Sequence, residues 1–296
     1  PFTGYGETVA ARPAGPGMAA SYGAIAALVR SITPTSLNTP HTGATRYGDN
    51  PAIPAVAVTL EDAEWMHRRI DDGHDVRVKI DLGAHNTGPV ETANVVATRT
   101  GTEWPNEVVV VGCHLDSWDV GQGAQDDGAG CLLAWEAARD VMTLGPHKRT
   151  LRVVLYTNEE NGLAGGAAYP GAHPDEVHVA AIESDTGSGL ASGFRVRVMQ
   201  DDGSDTDSEA TQRIIAGMQS IGLSGSEGYP GADIGPVVRG GAVGFGVDHD
   251  TTGYWPIHHT RADTLDKVDR EALRQNTLMT ARLLHWLLNV DGDALR

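Results

Sequence analysis

The amino-acid sequence predicts an α/β protein in which a mainly parallel central sheet is sandwiched by helices. Two observations support this fold class. Short runs rich in β-branched residues alternate with longer segments of helical apolar spacing, which is typical of βαβ units. Residues 107–113 contain four consecutive valines, as expected for a strand covered on both faces. The chain has 296 residues, which suffices for one large domain with a smaller unit attached.

Residues 1–90 predict the smaller unit, which is also of α/β type. Apolar residues at helical spacing indicate a helix over residues 20–32, and residues 55–58 indicate a short buried strand. Glu61 and Asp62 lie within one turn after Thr59, so Thr59 is expected to be the N-cap of a second helix. Alternation over residues 76–82 predicts a further strand.

Residues 91–296 predict the larger domain. Its expected strands cover residues 94–98, 107–113, 151–157, 177–182, 194–199 and 242–247. Its expected helices cover residues 130–142, 208–221 and 269–290, and Asp269 is a suitable N-cap for the last of them. Residues 104–106 are expected to form a turn. This alternation favours strands that run parallel, with helices on both faces of the sheet.

Acidic residues dominate the charge of the chain. There are 39 Asp and Glu against 22 Lys and Arg, so the formal net charge is −17. Phosphate groups would be repelled, and we therefore expect no nucleic-acid partner and no docking on an anionic membrane. No run of 18 apolar residues occurs, so no transmembrane helix is expected. Because the chain opens at Pro1 rather than Met, we expect that a leader or a longer N-terminal segment is absent from it.

The two cysteines, Cys113 and Cys131, are too few for a disulfide framework. Cys113 ends an apolar run, and Cys131 lies at the start of a helical segment. We expect both to be small buried residues, and a Cys113–Cys131 disulfide is the alternative. Neighbours on a strand point to opposite faces, so Cys113 is not expected to bind the same ligand as His114.

Histidines and acids occur where the expected strands of the larger domain end, and in one loop. They are His114 and Asp116, Glu159 and Glu160, Asp185, then His258 and His259 late in the chain, with Asp126 in the loop after the first valine-rich strand. In open α/β sheets, ligands bind beyond the carboxyl ends of the strands. A lone histidine is more often a satisfied polar residue, and an acidic pair is more often a solvated face. The shared location of these residues therefore carries the functional argument.

Three of these acids would place three negative charges in one pocket, namely Asp126, Glu160 and Asp185. Like charges this close would raise one another's pKa values strongly. Two divalent cations would compensate them, and imidazole nitrogen with carboxylate oxygen suits zinc. A carboxylate that bridges two metal ions roughly 3.5–4 Å apart is a common arrangement in hydrolases. The metal ions lower the pKa of bound water towards about 7.

Residues 108–130, with the sequence VVVVGCHLDSWDVGQGAQDDGAG, resemble the carboxypeptidase Q-like branch of the co-catalytic di-zinc aminopeptidases. The resemblance extends over nearly the whole chain. Further matching segments are Asn158-Glu159-Glu160, Glu183-Ser184-Asp185, HHTRADT at residues 258–264, and YGETV, HTG and EDAE at residues 5–9, 41–43 and 61–64. The HLDSWDVGQGA segment is specific to this family, whereas the pair of glutamates alone is not.

The resemblance implies two zinc ions per chain and a role for each site residue. His114 and Asp185 would bind one ion, Glu160 and His259 the other, and Asp126 would bridge them. His258 is then left with a packing or hydrogen-bonding role. Glu159 would be the general base, and Asp116 would orient the ring of His114, as carboxylates behind ligating histidines usually do. The family also implies a cis peptide bond after Asp126.

By resemblance, the chain is expected to be an exopeptidase that cleaves dipeptides or short peptides with a free N-terminus by attack of a zinc-bound hydroxide. Residues 1–90 would be a truncated protease-associated-type lid unit, and residues 91–296 the catalytic domain. A homodimer and a secreted or cell-envelope location are also implied. Two alternatives remain: a single-zinc glutaminyl cyclase on the same scaffold, and a binding domain without catalysis.

Overall fold

The computed structural model describes residues 4–35, 37–200 and 202–295. The chain divides into two compact units. The first unit comprises Pro1–Glu91, Trp118–Gln122 and Thr252–Asp263. The second comprises Thr92–Ser117, Gly123–Thr251 and Thr264–Arg296.

The first unit contains three helices and a small parallel sheet within its described residues. In chain order these elements are α1 (Tyr5–Thr8), α2 (Ala11–Ser21), β1 (Ala27–Arg30), β2 (Ala55–Val58) and α3 (Leu60–Asp71). The strand expected over residues 55–58 is therefore confirmed. The N-cap role of Thr59 is also confirmed, because its hydroxyl accepts a hydrogen bond from the backbone N–H of Asp62 at 3.0 Å.

Two expectations for the first unit were wrong. The helix predicted over residues 20–32 is instead the end of α2 followed by strand β1. Gly23 lies at φ +86°, a left-handed conformation that ends the helix, and Leu28 then pairs with Val56 of β2. Residues 76–82 form no strand; they are mostly exposed.

Among its described residues, the second unit is built around a sheet of seven strands. Its strands are β3 (Val95–Arg99), β4 (Trp104–His114), β5 (Arg149–Tyr156), β6 (Val177–Glu183), β7 (Ala191–Arg197), β8 (Gly225–Glu227) and β9 (Val243–His249). Their spatial order is β3-β5-β4-β6-β9-β7-β8. The β3–β5 and β7–β9 pairs are antiparallel and the other four pairs are parallel, so the mainly parallel sheet predicted from the sequence is confirmed.

The described part of the second unit also contains six α-helices: α4 (Ala129–Met142), α5 (Glu159–Gly162), α6 (Ala164–Ala168), α7 (Ser208–Ser220), α8 (Gly235–Arg239) and α9 (Arg270–Asn289). The N-cap of α9 is Asp269, as expected, and its carboxylate accepts from the N–H groups of Glu271 and Ala272 at 3.0 Å. The turn expected at residues 104–106 was wrong. Strand β4 continues through them, with a shift of register between Trp104 and Val108.

Alternate residues of β4 enter two separate parts of the core. Val109 and Val111 pack with buried residues of α4, α7 and α9, whereas Val108 and Val110 pack with Ile234 and residues of α8. This is the arrangement that the valine run predicts, since successive side chains of a strand point to opposite faces. Among the described residues, no helix has the length and apolar character needed to cross a membrane.

For Cys113 and Cys131, the alternative is the one that the structure has, because the two cysteines form a disulfide. Cys113 lies next to the last residue of β4, and Cys131 lies in the first turn of α4. Their Cα atoms are 5.0 Å apart, within the range that a disulfide bridges. The bond links the strand that ends in His114 to the helix that follows the loop containing Asp126.

Candidate metal centre

Three neighbouring parallel strands end at the candidate site. Strand β4 lies between β5 and β6 and runs parallel to both, so the carboxyl ends of all three meet at one edge of the sheet. His114 is the last residue of β4, and Asp185 follows β6 by two residues. Glu160 lies in the short helix α5, which begins shortly after β5. The topology therefore delivers residues from distant parts of the sequence to one place.

Four of the five predicted ligands are brought together within the second unit. His114 Nε2 lies 3.1 Å from Asp126 Oδ1 and 3.1 Å from Asp185 Oδ1. Glu160 joins the group, since ligand atoms of His114, Asp126 and Glu160 all lie within 4.8 Å of one another. His114 is 2% exposed and Asp126 is 4% exposed, so the two groups are shielded from bulk water.

The loop between β4 and α4 contains a cis peptide bond between Asp126 and Asp127, as the family resemblance implied. The two adjacent acids have different surroundings. Asp126 faces His114 Nε2, whereas the Asp127 carboxylate accepts from the backbone N–H groups of His114, at 3.2 Å, and Gly130, at 3.1 Å. Asp127 thus ties the end of β4 to the first turn of α4. Its position requires glycine at residue 130, where a Cβ would overlap the Asp127 carboxylate.

Asp116 contacts the site through two different groups. Its main-chain carbonyl lies 2.8 Å from His114 Nδ1, which places a ring N–H on that nitrogen and turns Nε2 towards the carboxylates. Its carboxylate is 4.0 Å from the same nitrogen. The carboxylate instead accepts from the backbone N–H groups of Glu159, at 3.0 Å, and Glu160, at 3.4 Å. Asp116 therefore fixes both the histidine ring and the start of α5.

The concentration of acids shifts the pKa values of the site. Burial alone would lower the pKa of His114, but Asp185 and the hydrogen bonds to Asp126 and Asp185 raise it well above its usual value. Burial, followed by the charges of Asp185 and Glu160, raises the pKa of Glu159 to about 9. These shifts express the repulsion among the protein groups by themselves. Divalent cations oppose that repulsion and favour the ionised carboxylates.

Two further buried acids, Glu183 and Asp233, adjoin the site. The carboxylate of Glu183 accepts from the backbone N–H groups of Ala232, at 2.7 Å, and Ile234, at 2.9 Å, and so holds the turn that contains Asp233. Burial, and then the charge of Asp185, raises the pKa of Glu183 to about 8. Burial, and then the charge of Glu183, raises the pKa of Asp233 to about 8. Their positions could not be read from spacing, because they depend on how that turn folds back on β6.

His259 belongs to the first unit and sits in a left-handed conformation at φ +59°. Its Nδ1 lies 3.1 Å from the carbonyl oxygen of Thr42, and its own carbonyl accepts from the Thr42 N–H at 3.0 Å. Because Nδ1 donates to that carbonyl, the lone pair is on Nε2, as a metal ligand needs. His258 stacks on His259 with ring centroids 3.6 Å apart. The assignment of His259 as the fifth ligand stays a prediction.

The residues present fit a metal site. Imidazole nitrogen and carboxylate oxygen are donors for zinc and similar cations, and the protein offers one of the former and three of the latter in the second unit alone. Three buried or half-buried carboxylates around one imidazole are costly without a compensating cation. The site can therefore hold divalent metal and, with Glu159 adjacent to Glu160, can place a proton acceptor beside it.

Comparison with known proteins identifies relatives of the chain. The model of peptidase family M28 matches residues 94–284. Carboxypeptidase Q of Xenopus laevis is 38% identical over 274 residues, which cover 91% of this chain and 57% of that protein. The chain thus spans less than two thirds of the length of this curated relative.

Two solved structures are also similar. The crystal structure of a peptidase M28 precursor from Shewanella amazonensis SB2B has a TM-score of 0.88 and 34% identity, and the match covers 97% of this chain and 65% of that one. The aminopeptidase from Aneurinibacillus sp. strain AM-1 has a TM-score of 0.60 and 25% identity, with 93% of this chain and 66% of that one covered. Both likenesses extend over nearly all of the present chain.

We predict that Gly130→Ala weakens metal binding. The added Cβ would overlap the carbonyl oxygen of Ser184 as well as the Asp127 carboxylate, which positions the backbone of His114. Loss of such supporting contacts typically costs about 10–100-fold in metal affinity. Chelator competition would measure the affinity. Gly171→Ala is the matched control, because a Cβ there meets nothing within 4 Å. Equal affinity in Gly130→Ala and Gly171→Ala would contradict this role of Asp127.

Proposed function

Because the chain belongs to peptidase family M28, we propose that it is a zinc-dependent exopeptidase acting on dipeptides or short peptides with a free N-terminus. The observation that carries this proposal is the convergence of His114, Asp126, Glu160 and Asp185 at the carboxyl ends of neighbouring strands. Such a set of imidazole and carboxylate donors suits a pair of divalent cations better than any other ligand.

We assign the ligands as the resemblance implies. His114 and Asp185 would hold one zinc ion, Glu160 and His259 would hold the other, and Asp126 would be shared by the two. Bound zinc supplies Lewis acidity, which lowers the pKa of water and polarises the scissile carbonyl. In both His114 and His259, Nδ1 is hydrogen-bonded to a main-chain carbonyl oxygen. This supports their assignment as ligands, because Nε2 is then the ring nitrogen that can bind a metal ion.

Glu159 is the general base in this proposal. It takes a proton from the attacking water and later transfers it to the leaving amine. The backbone N–H groups of Glu159 and Glu160 both donate to the Asp116 carboxylate, which fixes the backbone at this point. The side chain of Glu160 can then bind metal while that of Glu159 accepts the proton. Asp116 therefore acts as a positioning residue for Glu159 as well as for His114.

The acids of the site also favour a particular end of the substrate. An ammonium group is attracted by carboxylates, and a peptide with an unblocked N-terminus carries one close to its first peptide bond. An acetylated N-terminus is neutral and gains nothing from this field. The acidic surroundings of His114 thus support cleavage near a free N-terminus, with release of an amino acid.

The proposal extends to the setting of the enzyme. The Cys113–Cys131 disulfide supports a secreted or cell-envelope location, where thiols are oxidised. We keep the assignment of residues 1–90 as a lid that restricts substrate size, and the homodimer, as parts of the same proposal. The glutaminyl cyclase alternative is not favoured, because a single tetrahedral zinc site needs three protein ligands plus water and the second unit alone offers four candidates.

We predict that Glu159→Gln retains bound zinc and loses most of its turnover. General-base assistance is typically worth about 10²–10⁴-fold, and the amide cannot accept the proton. Steady-state kinetics and elemental analysis would be measured on the same preparation. Glu209→Gln, at an exposed position of α7, is the matched control. A near-normal rate in Glu159→Gln would exclude this residue as the base.

The test of the proposed function is a panel of dipeptides offered with a free or an acetylated N-terminus. We expect hydrolysis of the free dipeptides and a loss of at least about 100-fold in kcat/KM on acetylation, since the ammonium contact is removed. Chelation should abolish the activity, and added zinc should restore it. Cleavage that is indifferent to acetylation, or that survives chelation, would overturn the proposal.

A further inference from the structure

The loop that carries Asp185 is held by a buried polar network within the second unit. Residues 184–190 connect β6 to β7, and we call them the β6–β7 loop. At the start of this loop, the hydroxyl of Ser184 lies 3.0 Å from Nε2 of His249, the last residue of β9. Near its end, the carbonyl oxygen of Gly189 lies 2.9 Å from Nδ1 of the same ring. One imidazole therefore contacts the loop on both sides of Asp185.

These two contacts fix the position of the proton on the His249 ring. A carbonyl oxygen can only accept, so Nδ1 carries the proton and donates it to Gly189. Nε2 then has the lone pair and accepts from the hydroxyl of Ser184. Burial lowers the pKa of His249 to about 4, which keeps the ring neutral near pH 7. The ring thus holds the loop by two directional hydrogen bonds rather than by its charge.

Asn276 of α9 fixes the far end of the loop. Its Nδ2 donates to the carbonyl oxygen of Gly189 at 2.8 Å, and its Oδ1 accepts from the backbone N–H of Ala191 at 2.9 Å. A Cβ at Gly189 would overlap the carbonyl oxygen of Asp250, so the loop also packs directly on the backbone that follows β9. His249 and Asn276 share the far end, whereas the contact next to Asp185 comes from His249.

A serine hydroxyl paired with a histidine is also the arrangement of a nucleophile and its base. Ser184 is 1% exposed and His249 is 6% exposed, so a peptide cannot reach the hydroxyl. The pair is therefore not a second catalytic site. Ser184 directly precedes Asp185 in the chain, and the pair can act on the reaction through that neighbour.

We propose that His249 is a positioning residue of the metal centre, which holds Asp185 against His114 through the hydroxyl of Ser184. The inference rests on the proposed function, because it takes Asp185 as a zinc ligand. Asp185 Oδ1 lies 3.1 Å from His114 Nε2, and both would bind the same ion. A ligand that is already fixed loses less conformational freedom on binding than one on a free loop. His249 thereby raises the affinity for the ion that His114 and Asp185 share, and not for the other ion.

The alternative is that His249 only stabilises the fold. The two roles differ in what they predict for metal binding by the folded protein. A merely structural role lowers the melting temperature and leaves both zinc affinities unchanged, or lowers them equally. A positioning role lowers the affinity for one ion of the two.

The experiment measures the zinc dissociation constants of the wild type, His249→Ala, His249→Asn and His249→Gln by chelator competition. Asn places an amide nitrogen near the position of Nδ1 and keeps the bond to Gly189, whereas Gln places an amide oxygen near that of Nε2 and keeps the bond to Ser184. We expect His249→Ala and His249→Asn to lose about 10–100-fold in affinity for one zinc ion, as loss of supporting contacts typically costs. His249→Gln should stay close to the wild type. Anomalous difference maps at limiting zinc should identify the weakened ion as the one bound by His114.

Thr211→Val is the matched control. Thr211 is buried in α7, and its hydroxyl accepts from the N–H of Val198 at 3.0 Å and donates to the carbonyl oxygen of Asp207 at 2.8 Å. The substitution therefore removes buried hydrogen bonds of the same unit without touching the β6–β7 loop. It should lower the melting temperature and keep both zinc affinities.

The comparison of His249→Asn with His249→Gln keeps the inference testable if His249→Ala fails to fold, because each retains one of the two bonds. Ser184→Ala removes the same bond from its other side and should lose affinity for the same ion. Wild-type affinities in His249→Asn and Ser184→Ala would overturn the inference. Equal losses for both ions, or an equal loss in Thr211→Val, would also overturn it.

Failure of this inference is distinguishable from failure of the proposed function, because zinc affinity is measured without substrate. If the wild type binds two zinc ions and hydrolyses no dipeptide, the exopeptidase proposal fails, and the affinities still decide the role of His249. If the wild type hydrolyses dipeptides and His249→Asn binds both ions as the wild type does, the exopeptidase proposal stands and His249 has no part in holding the metal. A wild type that binds no zinc overturns both.

Discussion

Repulsion among buried and half-buried carboxylates is the interaction on which the rest of the site depends. Asp126, Glu160 and Asp185 surround one imidazole at the end of β4, and they are placed there by the loop before α4 and by the segments that follow β5 and β6. The sheet supplies the rigidity that a loop could not, because β4 is packed on both faces by the core. The repulsion among these carboxylates is offset when cations neutralise their charge, so bound metal would compensate for the electrostatic cost that the fold imposes.

Much of this arrangement could be predicted from the sequence, for identifiable reasons. The valine run of residues 107–113 marks a strand buried on both faces, and such strands lie near the centre of a parallel sheet. Once three strands are recognised as parallel, the residues after their carboxyl ends must be neighbours. His114, Glu160 and Asp185 follow from that rule, and the geometry places them as the rule requires.

The remaining features depend on distances that spacing does not encode. The pairing of Cys113 with Cys131 depends on how closely α4 returns to β4. The different contacts of Asp126 and Asp127 depend on the backbone of one tight turn. In the first unit, residues 20–32 carry helical spacing, yet tertiary pairing with β2 makes Ala27–Arg30 a strand.

The assignment of the zinc ligands is tested most directly by anomalous diffraction from crystals grown with zinc, recorded above and below the zinc absorption edge. It predicts two anomalous peaks roughly 3.5–4 Å apart, with Asp126 between them and His259 bound to the peak that Glu160 also binds. A single peak, or two peaks of which neither is bound by His114, would contradict it.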